Sequence, residues 1–138
     1  MLRLTRAVAD AIITHARADH PKEACGLVAG AGGVGTTVFR MRNVDASPIS
    51  YTMDPNEQLQ AMTAMRADRL ELLAIYHSHT ATPAYPSPTD VRLATYPDTS
   101  YVLVSLMQPT HPDVQSYRIA GGIVTPEDLT IIAGAAHG

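Results

Sequence analysis

The feature that most constrains the fold is an apolar run that ends in two histidines. Leu72 to Tyr76 form an uninterrupted apolar and aromatic stretch, and His77-Ser78-His79 follows directly. A short run of this kind is typical of a central strand that is buried on both faces. Because side chains alternate along a strand, His77 and His79 leave one face and Ser78 leaves the other. The segment Glu71–His79 is therefore predicted to be a buried strand with two imidazoles side by side at its end.

Three helices are predicted from their boundary residues. The first, Thr5–Asp19, places apolar residues at helical spacing and ends before Pro21. The second begins after Asp54, which takes the cap position ahead of Pro55 at the first helical position. The third opens at Ser87. Within the second helix, the residues expected to form the buried stripe are Leu59, Met62 and Leu70.

The other elements complete the predicted fold. Strands are predicted at Cys25–Ala29, Thr36–Arg42, Tyr101–Leu106 and Val114–Ile119, with a short extended piece at Ser50–Met53 and a final element, Ile123–Ile132, whose type the pattern does not decide. Strands and helices mix without strict alternation, which favours an α/β (α+β) fold with a mixed β-sheet flanked by helices. A chain of 138 residues has room for one core, so we expect a single domain at 1–138.

Composition narrows the classes of function. The formal net charge is -3, and the ten Lys and Arg residues form no run, so nothing favours nucleic acid as a partner. Cys25 is the only cysteine, which excludes an internal disulfide and a cysteine-based zinc site. The N-terminal segment is interrupted by charged residues such as Arg3 and Arg6, unlike a signal peptide or a membrane span. We therefore expect a reduced cytoplasmic protein with no membrane partner.

The paired histidines, together with an acid on the next helix, predict a metal site. Asp90 falls on the first turn of the third helix and supplies a carboxylate beside His77 and His79. Three protein ligands of these types are typical of catalytic Zn2+, which keeps its fourth position open for water and lowers the pKa of that water to about 7. We expect one ion per chain. Glu23, ahead of the first predicted strand, is a candidate general base whose position relative to the metal does not follow from the sequence, and Ser87 is a candidate donor to the developing oxyanion.

Two of the residues assigned to the metal site also have a simpler, structural explanation. Ser87 and Asp90 also make a good helix start, with Ser at the cap and an acid at the third helical position. That explanation does not account for the paired histidines, and the full spacing should arise by chance only on the order of a few times per ten million positions.

Cys25 with His77 as its base would make a cysteine hydrolase, but the apolar neighbours of Cys25 predict a core position.

The same residues resemble a known family. The motif of the JAMM (MPN-plus) zinc metallopeptidases is a distant glutamate, then H-[ST]-H, seven residues, S, two residues and D. Here the motif is met by Glu23, His77-Ser78-His79, Ser87 and Asp90. The resemblance implies a mixed sheet with flanking helices, a metal held by His77, His79 and Asp90, Glu23 as base, and Ser87 stabilising the tetrahedral intermediate.

Within that family, the stretch His77–Ala94 is similar to prokaryotic peptidases of the CysO-cysteine peptidase type. The resemblance implies a partner, a ubiquitin-like sulfur carrier protein with a C-terminal Gly-Gly, from which cysteine is released in cysteine biosynthesis. Alternatives are an isopeptidase or precursor-processing protease for another ubiquitin-like modifier, and a non-catalytic MPN scaffold. A Gly-Gly tail fits a narrow cleft as an added strand, and the segments around Val38 and Ser50–Met53 are candidate edges.

Overall fold

The computed structural model describes residues 1–133. Residues 134–138 of the predicted domain, including His137, lie outside the described residues. The strands are β1 (Leu2–Thr5), β2 (Cys25–Ala31), β3 (Val34–Met41), β4 (Glu71–His79), β5 (Ser100–Ser105), β6 (Asp113–Ala120), β7 (Ile123–Glu127) and β8 (Leu129–Ile132). The helices are α1 (Arg6–Asp19), α2 (Pro55–Ala67) and α3 (Pro88–Leu93).

All eight strands form one sheet in the order β7-β6-β5-β4-β2-β3-β1-β8. β4 lies in the middle, antiparallel to β2 and parallel to β5. The sheet therefore contains both pairings and carries helices on its faces, which confirms the predicted mixed sheet flanked by helices. Within residues 1–133, no helix is both long enough and apolar enough to cross a membrane.

The sheet separates two hydrophobic cores. On one face, Val8, Ile12 and Ala16 of α1 pack with Val28 and Val102 of the sheet. On the other face, the core contains residues from α2 and from the strands, among them Ala61, Met65, Leu27, Ile75 and Leu103, with Val91 of α3 packed against it. Helices on both faces bury most of the central strands, including Ala74–His79 of β4, as the apolar sequence of β4 predicts.

Side-chain alternation along β4 sends its residues to both cores. Ala74 and Tyr76 belong to the α1 core, whereas Ile75 belongs to the core beneath α2 and α3. His77 and His79 follow Ile75 at intervals of two, so the imidazoles lie on the face that carries α2 and α3. The two histidines therefore lie on the same face of β4, as the sequence predicts.

The structure corrects one expectation and adds three strands that the sequence analysis missed or left undecided. The predicted buried stripe of α2 is wrong at Leu59, which is 67% exposed, and the buried residues of the helix are Ala61 and Met65. Met62 and Leu70, the latter beyond the end of the helix, are partly buried and pack against the core. Leu2–Thr5 was not predicted and is a strand, although alternating Leu2, Arg3 and Leu4 carry the period-two signal. The undecided segment Ile123–Ile132 is two strands, of which β8 pairs in parallel with β1.

Candidate metal centre

The end of β4 and the start of α3 bring three potential ligands together. His77 and His79 are 2% and 4% exposed, and Asp90 lies in the first turn of α3. One ligand atom from each lies within 4.8 Å of the others. The Oδ2 atom of Asp90 is 3.1 Å from His77 Nε2 and 3.0 Å from His79 Nε2. The three side chains that sequence spacing singled out therefore converge.

The start of α3 orients the carboxylate. Ser87 Oγ accepts a hydrogen bond from the Asp90 backbone N–H at 3.0 Å, and Asp90 Oδ2 accepts one from the Ser87 N–H at 2.9 Å. This capping box holds the same oxygen that faces the histidines. Helix capping and metal ligation, which the sequence presents as alternatives, are thus compatible in one carboxylate.

The hydrogen-bond partners of His79 leave Nε2 available to a cation. His79 Nδ1 lies 2.8 Å from the carbonyl oxygen of Pro83, which can only accept, so Nδ1 carries the proton. Burial lowers the pKa of His79, but hydrogen bonds to Asp90 Oδ2, 3.0 Å from Nε2, and to the Pro83 carbonyl outweigh burial and raise the pKa overall. Without metal, the protonated ring donates from Nε2 to Asp90. In the neutral Nδ1–H form, a metal ion between Nε2 and Oδ2 would take the place of that proton.

His77 supports the same conclusion. Within residues 1–133 neither of its ring nitrogens has a hydrogen-bond partner, although both are buried, and its contact with Asp90 is not aligned as a hydrogen bond. On a tetrahedral ion with ligand bonds of about 2.0–2.2 Å, neighbouring donor atoms would lie roughly 3.3–3.6 Å apart, slightly farther than the 3.1 and 3.0 Å that separate Asp90 Oδ2 from the two Nε2 atoms. The His-His-Asp triad therefore fits a metal ion.

The surrounding charges act on the ligands in opposite directions. Burial lowers the pKa of His77, and the neighbouring Asp90 only partly offsets this effect. Burial would raise the pKa of Asp90, but the imidazoles of His77 and His79 and the Ser87 N–H hold it well below its usual range. The carboxylate is therefore ionised and the His77 imidazole neutral, which are the forms that bind metal.

Tyr51 forms a wall of the site that sequence analysis did not identify. Its ring stacks on the His77 imidazole with centroids 4.5 Å apart and planes inclined by 26°. Burial, with the nearby Asp90 carboxylate as the next cause, raises the pKa of Tyr51, so its phenol stays protonated. The local sequence marks Tyr51 only as part of an extended piece, and no spacing rule connects it to His77.

Glu23 lies just ahead of β2 and is 4% exposed. Burial raises the pKa of its carboxyl to about 7, while His79 lowers it and Asp90 raises it, so the group shares the electrostatic environment of the ligands. Within residues 1–133, Glu23 Oε1 is buried without a hydrogen-bond partner. The structure thus brings Glu23 into the region of the predicted metal site.

Backbone contacts hold Glu23 in place. Its N–H donates to the Ser47 carbonyl at 2.8 Å, and its carbonyl accepts from the Asn43 side-chain amide at 3.1 Å. The next residue, Ala24, donates its N–H to Ser78 Oγ at 2.8 Å. Ser78, on the face opposite the histidines, therefore ties the start of β2 to the end of β4.

A cavity of about 260 Å³ lies beside the ligands and is lined by Tyr51, Asp90, Leu93 and Tyr96, among others. Ser50–Met53, one of the two candidate tail-binding segments, also lines it. Val38 instead lines a separate cavity next to α2, together with Arg40 and Glu57. Of the two predicted segments, the one that borders the metal site is Ser50–Met53.

Cys25 is poorly suited to act as a nucleophile. It lies directly across from His77 in the β2–β4 pairing, but its thiol is fully buried and faces the Met41 carbonyl at 3.8 Å. Burial, reinforced by nearby carboxylates, raises the pKa of the thiol to about 12. A thiol that stays protonated at neutral pH does not attack a carbonyl, so the cysteine-hydrolase alternative loses support.

Comparison with known proteins finds similar peptidases. The chain is 48% identical over 126 residues to the CysO-cysteine peptidase of Mycobacterium tuberculosis (strain ATCC 25618 / H37Rv), covering 89% of this chain and 86% of the relative. It is 40% identical over 95 residues to the probable TtuB-protein conjugate cleaving protease of Thermus thermophilus, covering 68% of this chain and 64% of that relative.

A solved structure and a family match extend the comparison. The solution structure of protein DSY2949 from Desulfitobacterium hafniense has a TM-score of 0.88 and 38% identity, covering 97% of this chain and 94% of that protein. The prokaryotic homologs of the JAB domain match residues 5–120, a span that includes Glu23 and all three members of the triad. Since the match takes in most of the chain, this protein belongs to the prokaryotic JAB-domain family.

Proposed function

We propose that this protein is a zinc-dependent peptidase that hydrolyses the amide bond after the C-terminal Gly-Gly of a ubiquitin-like sulfur carrier protein and releases cysteine. The observation that carries the proposal is the convergence of His77, His79 and Asp90 next to a buried Glu23. The 48% identity to a CysO-cysteine peptidase supports the choice of substrate. The proposal includes a role in cysteine biosynthesis and a cytoplasmic location, both of which stay predictions from the sequence.

In this proposal His77, His79 and Asp90 hold the ion. Two imidazole nitrogens and one carboxylate oxygen are a common donor set for catalytic zinc, which supports zinc over magnesium or calcium. When bound, zinc supplies Lewis-acid chemistry, since it polarises a carbonyl and makes water more acidic. The capping box at Ser87 and the Pro83 carbonyl keep Asp90 and His79 oriented toward the ion.

Glu23 is the proposed general base. A pKa raised to about 7 lets its carboxylate accept a proton from water near neutral pH and return that proton to the leaving amine. Burial also removes water that would compete for the carboxylate. The unpartnered Oε1 is the atom proposed to carry the proton, because it is free of other hydrogen bonds within the described residues.

Ser87 is proposed to stabilise the oxyanion. Its Oγ already accepts the Asp90 N–H through a lone pair, which leaves the hydroxyl proton free to donate. Donation to the oxygen of the tetrahedral intermediate would use both capacities of the hydroxyl at once. Losing one such donor costs about 2.7–4 kcal/mol of barrier in other hydrolases.

A second candidate substrate is a lysyl conjugate of a ubiquitin-like modifier. The 40% identity to a probable TtuB-protein conjugate cleaving protease favours it, because the same site geometry serves either leaving amine. Processing of a carrier precursor would use the same chemistry. These candidates differ only in the group that follows the Gly-Gly.

Mass spectrometry on a carrier–cysteine adduct tests the proposal. Zinc-loaded wild-type protein should remove one cysteine mass, and zinc-loaded Glu23→Gln should leave the adduct intact while retaining the metal. Lysyl and precursor-extended adducts of the same carrier, incubated in parallel, define the leaving group. Exclusive cleavage of the lysyl adduct would replace the leading substrate, and full activity in Glu23→Gln would eliminate the proposed mechanism.

A further inference from the structure

The loop between β4 and α3 is held through three consecutive carbonyl groups. The Thr82 carbonyl accepts from Ser105 Oγ at 2.5 Å, and the Ala84 carbonyl accepts from the Tyr117 hydroxyl at 2.5 Å. Between them, the Pro83 carbonyl accepts from His79 Nδ1 at 2.8 Å. The carbonyl that contacts the predicted ligand is thus flanked on both sides by carbonyls bound to the sheet.

The two outer donors come from rigid, buried positions. Ser105 ends β5 and pairs directly with His79 in the parallel register, and Tyr117 lies on β6. They are 3% and 7% exposed, whereas Pro83 itself is exposed. Ser105 Oγ also accepts the Met107 N–H at 3.1 Å, so its only proton is committed to the Thr82 carbonyl.

Packing confines only part of this loop, because Ala84 is buried in the core whereas Thr82 and Pro83 are exposed. Pro83, Ala84 and Ser105 border an open cavity of about 350 Å³, which leaves room for the loop to move if its hydrogen bonds are removed. The Pro83 carbonyl also accepts the Tyr85 N–H at 2.8 Å, a bond within the loop, so the two outer bonds are what tie this turn to the sheet. The Pro83 carbonyl favours the Nδ1–H tautomer of His79, whereas Asp90 Oδ2, 3.0 Å from Nε2, favours the Nε2–H tautomer in the metal-free protein.

We propose that Ser105 and Tyr117 are positioning residues that hold the Pro83 carbonyl against His79 and so keep the Nε2 lone pair of His79 directed toward the metal position. The inference rests on the proposed role of His79 as a ligand. The side-chain hydroxyls of both residues donate to the loop and not to the triad, so each acts on His79 through the loop.

Two single variants and one matched control test the proposal. Tyr117→Phe and Ser105→Ala each remove one hydroxyl and little volume. Tyr85→Phe removes the hydroxyl of an exposed tyrosine on the same loop, whose ring meets that of Tyr117 edge-on at 5.4 Å, and serves as the control. Each protein is measured for Zn2+ affinity by competition with a chromophoric chelator and for its unfolding free energy without metal.

Both variants should weaken zinc binding by about tenfold or more, the usual lower bound for losing an outer partner of a histidine ligand, whereas the control should match the wild type. In the metal-free proteins, ring-nitrogen NMR of His79 at mildly alkaline pH should show a larger share of the Nδ1–H tautomer in the wild type and the control than in the two variants. A lower unfolding free energy alone would not produce that change in tautomer.

Zinc affinities within twofold of the wild type, together with an unchanged His79 tautomer in both variants, would overturn the proposal. The metal-free measurement separates this failure from failure of the proposed function. If wild-type protein does not bind zinc, the zinc peptidase proposal fails, and the tautomer of His79 still decides whether Ser105 and Tyr117 position it.

Discussion

The side chains of Glu23 and His77 are polar but almost fully buried. They are 4% and 2% exposed, and within residues 1–133 each has buried polar atoms without a hydrogen-bond partner. Burying such groups costs free energy, and clusters of groups with displaced pKa values are typical of functional sites. At the residue scale, these buried groups should therefore lower the unfolding free energy of the metal-free protein, and the size of this decrease should depend on pH.

The pH dependence follows from the pKa of Glu23. In the folded protein this pKa is about 7, against an ordinary value of 4.5. The contribution of the Glu23 carboxyl to the free energy of unfolding is therefore fully present below about pH 4.5 and is lost as the pH rises through 7. Glutamine cannot ionise. Metal-free Glu23→Gln should therefore be more stable than the wild type above neutrality, by at most about 3.4 kcal/mol at about 1.36 kcal/mol per pKa unit.

Urea unfolding of the metal-free proteins on both sides of neutral pH measures this effect. The exposed acid Asp10 on α1 provides the control variant Asp10→Asn, which should follow the wild-type pH dependence. Parallel pH profiles for wild type and Glu23→Gln would show that Glu23 keeps an ordinary pKa.

The stacking of Tyr51 on His77 leads to a second prediction at the residue scale. Tyr51 contacts the imidazole face, and aromatic pairs contribute about 0.5–1.5 kcal/mol, which corresponds to roughly two- to tenfold in affinity. Tyr51→Ala should weaken zinc binding by that factor, and Tyr51→Phe should restore it because the ring is kept. Tyr96→Ala, which changes another aromatic residue of the same cavity, is the control. Equal zinc affinities for Tyr51→Ala and Tyr51→Phe would contradict a positioning role for the ring.

At the element scale, α3 shows how a very short helix can carry a ligand. It spans six residues, all of them exposed or partly exposed, so packing contributes little to its stability. Its start depends on the reciprocal bonds between Ser87 and Asp90. The helix and the orientation of the carboxylate are therefore stabilised by the same two hydrogen bonds.

Ser87 variants separate capping from catalysis. Ser87→Ala should lower the unfolding free energy by about 1 kcal/mol through loss of the cap and lower kcat by about 10²–10³ through loss of the donor. Ser87→Thr keeps both the cap and the hydroxyl and should stay near the wild type in both. Zinc content, measured alongside, excludes metal loss as the cause. Unchanged kcat in zinc-loaded Ser87→Ala would remove Ser87 from the mechanism.

At the scale of the whole molecule, the sheet separates a structural face from the face of the metal site. On the α1 face, the Tyr76 hydroxyl lies 2.6 Å from His15 Nδ1, and His15 Nε2 lies 3.1 Å from Asp19. Gly26 makes room for that tyrosine, since a Cβ there would lie 2.4 Å from the Tyr76 ring. This network anchors α1 to β4 one residue before the first predicted ligand.

Tyr76→Phe tests the independence of the two faces. It leaves the buried His15 Nδ1 without its partner and should lower the unfolding free energy by about 1–3 kcal/mol. Zinc affinity should stay at the wild-type value because the ring of Tyr76 points away from His77. His20→Ala, on the exposed end of α1, controls for surface effects. A tenfold loss of zinc affinity in Tyr76→Phe would show that the faces are coupled.

The predictions that agree with the structure depend on residues close together in the chain. Alternation along a strand was enough to place His77 and His79 on one face, and cap chemistry was enough to begin helices after Thr5, Asp54 and Ser87. These outcomes depend on backbone geometry over a few residues. The mixed sheet and the family were also predicted from the sequence; the catalytic roles of the site residues stay predictions.

Only the tertiary structure decided features that depend on distant pairing. The burial of Glu23 near the ligands follows from β2 lying next to β4, and the exposure of Leu59 follows from the face of α2 that meets the sheet. The contacts of Tyr51 with His77 and of Tyr117 with the Ala84 carbonyl join segments far apart in the chain. No local pattern encodes such contacts, because they arise when strand order and packing bring separate elements together.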